Sequence, residues 1–289
     1  MVKIFFTFII SITFTLMFFL QAQAYIPSSK MILGRVVENA FKLPLFVEQD
    51  LTLTLAEKTI SVKEQWLFES ENSIRLIVRG DKDLKDQVLF QNSYSDLQRT
   101  SSISGSNIVN KMPRPLFEKM FFIKTSENLM KFLIHQGIVA DEILRSQNFK
   151  KLPGNNGFQY LPESFLRFGR VGGVVAYVFG PAPHGEVLNP GFWVEQDQFI
   201  ILKIRSATGE ELRVEKPTLY SRGARWPKDL SYTWGGNHST AQAQVQVISV
   251  KTAEAPQKQL FQKVSDKRTA EFERTLGKSL IEEFYQRFR

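Results

Sequence analysis

A chain of 289 residues carries a formal net charge of +8, three histidines and no cysteine. Without cysteine there is no disulfide, no thiol nucleophile and no thiolate metal ligand. The basic residues are scattered among acids with no Lys/Arg run longer than two, which reads as a solvated basic surface and argues against a nucleic-acid partner.

The first element is an address. Lys3 precedes an apolar run from Ile4 to Leu20, followed by Gln21-Ala22-Gln23-Ala24, the small-x-small pattern that a signal peptidase cleaves. Cleavage after Ala24 is expected, leaving residues 25–289 in a bacterial periplasm. The alternative is an uncleaved anchor, but the run is short for a bilayer span and no basic cluster follows it. No cysteine follows the run either, so the lipobox of an acylated lipoprotein is missing.

Ser28 or Ser29 can cap a helix over 29–40, which Pro44 ends. Then the period changes to two. Over 46–55, Val47, Leu51, Leu53 and Leu55 share one face; over 60–69, Val62, Trp66 and Phe68 do the same; over 73–79, Ile74, Leu76 and Val78 alternate with Arg75 and Arg79. With a fourth strand at 87–91, these predict an antiparallel meander with one wet face. Residues 92–112 are rich in Ser, Asn and Thr and read as a loop. A helical insertion is expected over about 113–148, with Leu116, Phe117, Met120 and Phe121 in its first part. A second helix is capped by Thr125 or Ser126 and stopped by Gly137. After a loop at 151–157, strands resume near 165. A glycine-containing stretch occupies 170–179, and a hairpin is expected over 192–195 and 198–205. Further strands are expected at 210–215, 217–221, 229–234 and 243–251. From Gln257 the pattern is polar and helical, with Phe272, Leu276, Leu280, Phe284 and Phe288 at every fourth position.

Signals for catalysis are sparse. His135, His184 and His238 have no metal-pair spacing. Ser104-Gly105-Ser106 lies in a polar loop without the surroundings of a nucleophile elbow. Gly169-Arg170-Val171-Gly172-Gly173 is not a dinucleotide fingerprint; glycines in a strand permit a bend or a close backbone approach. No catalytic residue, metal ligand or cofactor is expected. The conspicuous feature is apolar mass, with 25 phenylalanines. Periodicity leaves two readings open: a filled core, or a sheet curved over a greasy cavity with helices as its lid.

Three segments carry a family resemblance. They are Ser29 to Phe68, with Val47-Glu48-Gln49-Asp50 and Lys63-Glu64-Gln65-Trp66-Leu67-Phe68; Arg167 to Gly180; and Phe192-Trp193-Val194-Glu195 through Ile204. Together with the order of elements over about 30–250, they make the chain resemble the LolA/LolB-like periplasmic lipoprotein carriers. The resemblance implies an α+β fold: an antiparallel, unclosed β-barrel (a half-barrel) with helices covering the concave face, here plus a C-terminal amphipathic helix. The expected domains are a signal peptide (1–24), a half-barrel (25–252) with the helical insertion at about 113–148, and a C-terminal helical extension (253–289) that is an addition to the family pattern. The implied activity is non-covalent shielding of lipoprotein acyl chains, or of other lipid. The apolar cavity would then be lined by Leu51, Leu53, Trp66, Phe68, Leu76, Val78, Trp193 and Leu202, with Phe117, Phe121, Leu129, Phe132 and Leu133 as lid. The amphipathic segment 257–289 could instead dock an envelope protein or an anionic membrane surface.

Overall fold

The computed structural model describes residues 26–289 apart from 56–57, 82–87, 104–105, 143–148, 152–157, 161–162, 183–188, 221–224, 237–238 and 262–277. The first described element is helix α1 (Ser29–Glu38), whose N-cap Ser28 accepts a hydrogen bond from the Met31 N–H. The Ser29 N–H and hydroxyl both donate to the Glu163 carboxylate, 2.7 and 2.8 Å away. An anion therefore sits at the positive end of the helix, where the first-turn N–H groups lack partners.

Six strands follow: β1 (Leu45–Leu55), β2 (Lys58–Ser70), β3 (Ser73–Gly80), β4 (Val88–Ser95), β5 (Gln98–Ile103) and β6 (Ser106–Lys111). A 3-10 helix (Phe117–Phe121) and helix α2 (Ser126–His135) come next. Thr125 caps α2, accepting from the Asn128 N–H, and Gly137 with φ +69° lies just beyond its end. A short ribbon pairs β7 (Phe149–Lys151) with β8 (Phe158–Tyr160). The second series is β9 (Leu166–Val171), β10 (Val174–Phe179), β11 (Gly191–Glu195), β12 (Ile201–Arg205), β13 (Glu211–Leu219), β14 (Arg225–Gly236) and β15 (Ser239–Thr252). Helices α3 (Ala255–Leu260) and α4 (Lys278–Phe288) complete the described chain.

Among the described residues the strands form one thirteen-stranded antiparallel sheet, ordered β6-β5-β4-β3-β2-β1-β15-β14-β13-β12-β11-β10-β9, besides the small ribbon. Two meanders meet where β1 pairs β15, and β6 and β9 are left as unpaired edges, so the sheet does not close. It is strongly curved. In a flat sheet, β2 and β14 would stand about 14 Å apart, three inter-strand steps. Yet the Phe68 and Trp226 rings they carry meet at 5.1 Å. Both strands turn their apolar faces toward one interior, which α1, the 3-10 helix and α2 cover. The architecture is the expected α+β half-barrel with helices over the concave face.

Some local expectations are corrected. Residues 92–112 are not a loop: they finish β4 and form β5 and β6. These strands end the sheet and carry polar or exposed side chains, with Ile108 and Val109 exposed, so no apolar alternation announces them. The glycine-containing stretch 170–179 lies in the β9–β10 hairpin, which turns at Gly172 and Gly173, both with positive φ. Residues 210–221 hold one strand, β13, bent by two register shifts against β14 before Pro217. Residues 1–24, the last part of the expected helical insertion (143–148) and the 262–277 stretch lie outside the described residues.

Candidate functional site

The concave interior is where the apolar residues converge. Val47, Leu51 and Leu53 of β1, Val62, Trp66 and Phe68 of β2, and Ile74, Leu76 and Val78 of β3 are all buried there. From the other half come Tyr232 and Trp234 of β14 and Ala243, Val245 and Val247 of β15. Of the anticipated lid, Phe117, Leu129, Phe132 and Leu133 are buried against the same cluster and Phe121 is partly so. Leu51, Leu53, Trp66, Phe68, Leu76 and Val78 are thus brought together.

Trp193 and Leu202 are not. Phe192 and Val194 take the inward positions of β11, which turns Trp193 to the convex face. There the Lys203 ammonium lies 4.7 Å from its ring centroid and the Arg205 guanidinium 5.9 Å. A Cβ on Gly191 would stand 2.5 Å from that ring, so glycine is what lets the indole lie on the strand. Leu202 is the extra residue of a bulge in β12, which places Ile201 and Ile204 inward, three apart. The segment Gly191-Phe192-Trp193-Val194 is apolar on both faces, and period two alone does not choose between them. On the convex face Glu211 gathers Lys203 (2.9 Å), Arg205 and Arg213 (2.6 Å). Burial lowers the Lys203 pKa, with Glu211 opposing it.

The interior is occupied by the protein's own helix α4. Ile281, Phe284, Tyr285 and Phe288, one face at helical spacing, are buried in the same cluster as the strand residues. Phe284 and Phe288 pack on Tyr232 and Trp234 with ring centroids 5.2–5.5 Å apart. Phe288 also meets Phe117 of the lid at 5.9 Å, and Tyr285 meets Phe90 edge-on at 4.5 Å. The apolar face expected to dock a partner or a membrane is therefore turned inward. By contrast, Phe261, just past α3, packs on the convex face with Phe46, Leu67 and Ile77. Among the described residues a cleft of about 240 Å³ stays open, lined by Val36, Met120, Phe121, Ile201, Val214 and Trp226, with Asn39 and Arg225 among its polar residues. That is below the ~300–1,000 Å³ of typical small-molecule sites.

At the bottom of the filled interior lies a polar cluster that the sequence reading missed. Glu64 of β2 and Glu118 of the 3-10 helix are both buried, and Arg289 lies between them, fully buried. Gln49 Nε2 (2.6 Å) and Trp66 Nε1 (3.1 Å) donate to Glu64 Oε2. The Tyr285 hydroxyl donates to Glu64 Oε1, and the Tyr232 hydroxyl donates to Glu118 Oε1. Arg289 donates to Glu118 Oε1 through Nη1, and more loosely to Glu64 through Nε (3.4 Å) and Nη2 (3.5 Å). Burial pushes the Glu118 pKa up, against the downward pull of Arg289 and Tyr232. Burial works against the Arg289 charge, but Glu118 and Glu64 more than offset it and hold its pKa well above the ordinary value. The signal was present in the strands. Gln49 sits between Val47 and Leu51, and Glu64 between Val62 and Trp66, both on the apolar face and paired across the β1–β2 ladder.

Nothing in this arrangement sets a nucleophile beside a base, and no cluster of potential metal ligands occurs among the described residues. His135 is exposed, and His184 and His238 lie outside the described residues. Among the described residues no helix is long and apolar enough to cross a membrane.

No protein-family model matches the chain, and no curated protein matches it in sequence. Similarity appears in solved structures. A LolA superfamily protein from Nitrosomonas europaea is 12% identical with a TM-score of 0.51, over 81% of this chain and 97% of that one. An outer membrane lipoprotein-sorting protein domain from Vibrio parahaemolyticus is 11% identical over 81% of this chain and 97% of that one, TM-score 0.44. A DUF1329 family protein from Desulfovibrio piger is 10% identical over 78% of this chain and 92% of that one, TM-score 0.45. The fold is LolA-like, as the sequence resemblance implied.

Proposed function

We propose that the protein is a non-catalytic, carrier-type protein of the periplasm that shields acyl chains, of lipoproteins or of other lipids, in its concave interior. One observation chiefly supports this reading. The curved sheet and its lid helices enclose a helix-sized apolar space, and the segment that fills it, α4, belongs to neither. A core that had simply collapsed would be filled by the strands' own side chains. The LolA-like fold supports the same reading, and residues 1–24 read as an export signal.

In this function Leu51, Leu53, Trp66, Phe68, Leu76 and Val78 contact the chain once α4 yields, and each methylene taken from water contributes about 0.8 kcal/mol. Loading is then a competition between α4 and the acyl chain for one space, so the apparent affinity is reduced by the fraction of molecules in which α4 is out. Native mass spectrometry of the protein purified from membranes-containing cells should show co-purifying lipid, or uptake of an added acyl probe. A clean unliganded mass with no uptake contradicts the reading. That outcome favours the second reading, a structural or interaction module on the same scaffold, whose supporting observation is that the interior is already full.

A further inference from the structure

We propose that the bottom of the concave interior is a recognition site for a cationic head group, and that its ligand is a cationic amphiphile, an alkyl guanidinium or ammonium, for which Arg289 stands in. This inference rests on the reading that the interior receives an apolar ligand, and it adds a chemical class to that ligand.

The charges carry the argument. Two carboxylates from unconnected elements, Glu64 and Glu118, converge in a space closed to water, and the cation between them comes from α4's end. A buried carboxylate left without a partner is strongly disfavoured. When α4 leaves, a replacement that brings a cation restores the partner of both carboxylates, whereas a plain hydrocarbon tail leaves them facing an apolar group.

The pocket is prepared for a cation without α4. Gln49 and Trp66 fix the Glu64 carboxylate, and Tyr232 fixes that of Glu118; all three belong to the barrel. The faces of Trp66 and Tyr232 stand 5.0 and 4.9 Å from the Arg289 guanidinium carbon, within cation–π range. Arg289 also fits imperfectly. Its bonds to Glu64 are at the long limit of hydrogen bonding, and Glu118 Oε2 is buried with no partner. A free cation has an acceptor to gain there. Arg99, a further cation nearby, directs Nη1 to the backbone oxygens of Tyr285 and Arg289.

The test uses the intact chain and four ten-carbon amphiphiles below their micelle concentrations: decylguanidinium, decylammonium, decanol and decyl sulfate. Binding is read by tryptophan fluorescence. Displacement of α4 is read as a distance between spin labels on Gln286→Cys and Lys251→Cys, both exposed positions in a chain with no other cysteine. Both cationic amphiphiles should bind at least about tenfold more tightly than decanol or decyl sulfate, roughly one charge-assisted hydrogen bond. They should also lengthen the label distance, and Glu64→Gln with Glu118→Gln should erase the preference. Equal binding of all four amphiphiles, with α4 displaced, overturns this inference and leaves the acyl-carrier reading standing. Cation binding with α4 in place overturns it too, because the ligand then sits elsewhere. Failure of all four to bind overturns both. The head-group comparison on the unsubstituted protein decides even if the double variant does not fold.

Discussion

At the scale of single residues, Glu64 is the position on which most depends. It receives Gln49, Trp66, Tyr285 and Arg289 in a site with no access for water. Glu64→Ala strands four donors, one of them charged, and should lower stability by roughly 3–5 kcal/mol in urea unfolding. Glu64→Gln, which keeps an acceptor, should cost less; equal losses in the two variants would contradict this account of the cluster. Trp193 provides the opposite case. On the convex face with Lys203 and Arg205, Trp193→Ala should leave acyl-probe uptake within about twofold of the parent protein, whereas Phe68→Ala should reduce it severalfold or unfold the chain at a cost of about 3–5 kcal/mol. A large uptake defect in Trp193→Ala would place the ligand elsewhere. Hydrophobic alternation made Leu51, Trp66 and Phe68 legible as inward residues. It could not orient Trp193, whose strand is apolar on both faces, and it passed over Gln49 and Glu64, because a polar residue at an apolar position stands out only once the face is known.

At the scale of elements, α4 is held by ring packing and by a few polar ties, among them Arg287 to Glu210 (3.2 Å) and Trp234 Nε1 to Glu283 (2.9 Å). Glu210 is itself a junction. Burial alone would raise its pKa, but Arg114, Ser206 and Thr208 donate to it and hold it at about 2, below the ordinary 4.5. A carboxylate with a depressed pKa stabilises the fold above its unfolded value and loses that contribution as pH falls toward its folded value. The stability gap between the parent protein and Glu210→Gln should therefore be full above pH 4.5 and shrink on acidification toward about pH 2. A gap that stays constant over that window would rule out the ion pairs as its source. Elements also differed in how plainly the sequence displayed them. α1 and α2 carry side-chain N-caps and regular apolar spacing, and β1 to β3 alternate except at Gln49 and Glu64 on the inner face and Phe46, Leu67 and Ile77 on the outer one. β5 and β6 do not, since the last strands of the sheet have little apolar surface to bury.

For the molecule as a whole, the half-barrel follows from strand alternation together with the order of elements, both present in the sequence. What the sequence could not disclose is where the amphipathic segment goes. An apolar helical face fits a partner, a membrane or the chain's own interior equally well, and only the curvature of the sheet shows that the interior has room for it. In the structure the interior is complete with α4 inside, so a carrier on this scaffold must open before it loads. The most direct measurement of that claim is amide hydrogen exchange on the intact protein with and without a saturating acyl probe. The account predicts that the probe raises exchange across Ile281–Phe288 while β1 and β2 stay as protected as before. If α4 keeps its full protection while the probe binds, or gains protection, the acyl chain does not occupy the concave interior and the account is wrong.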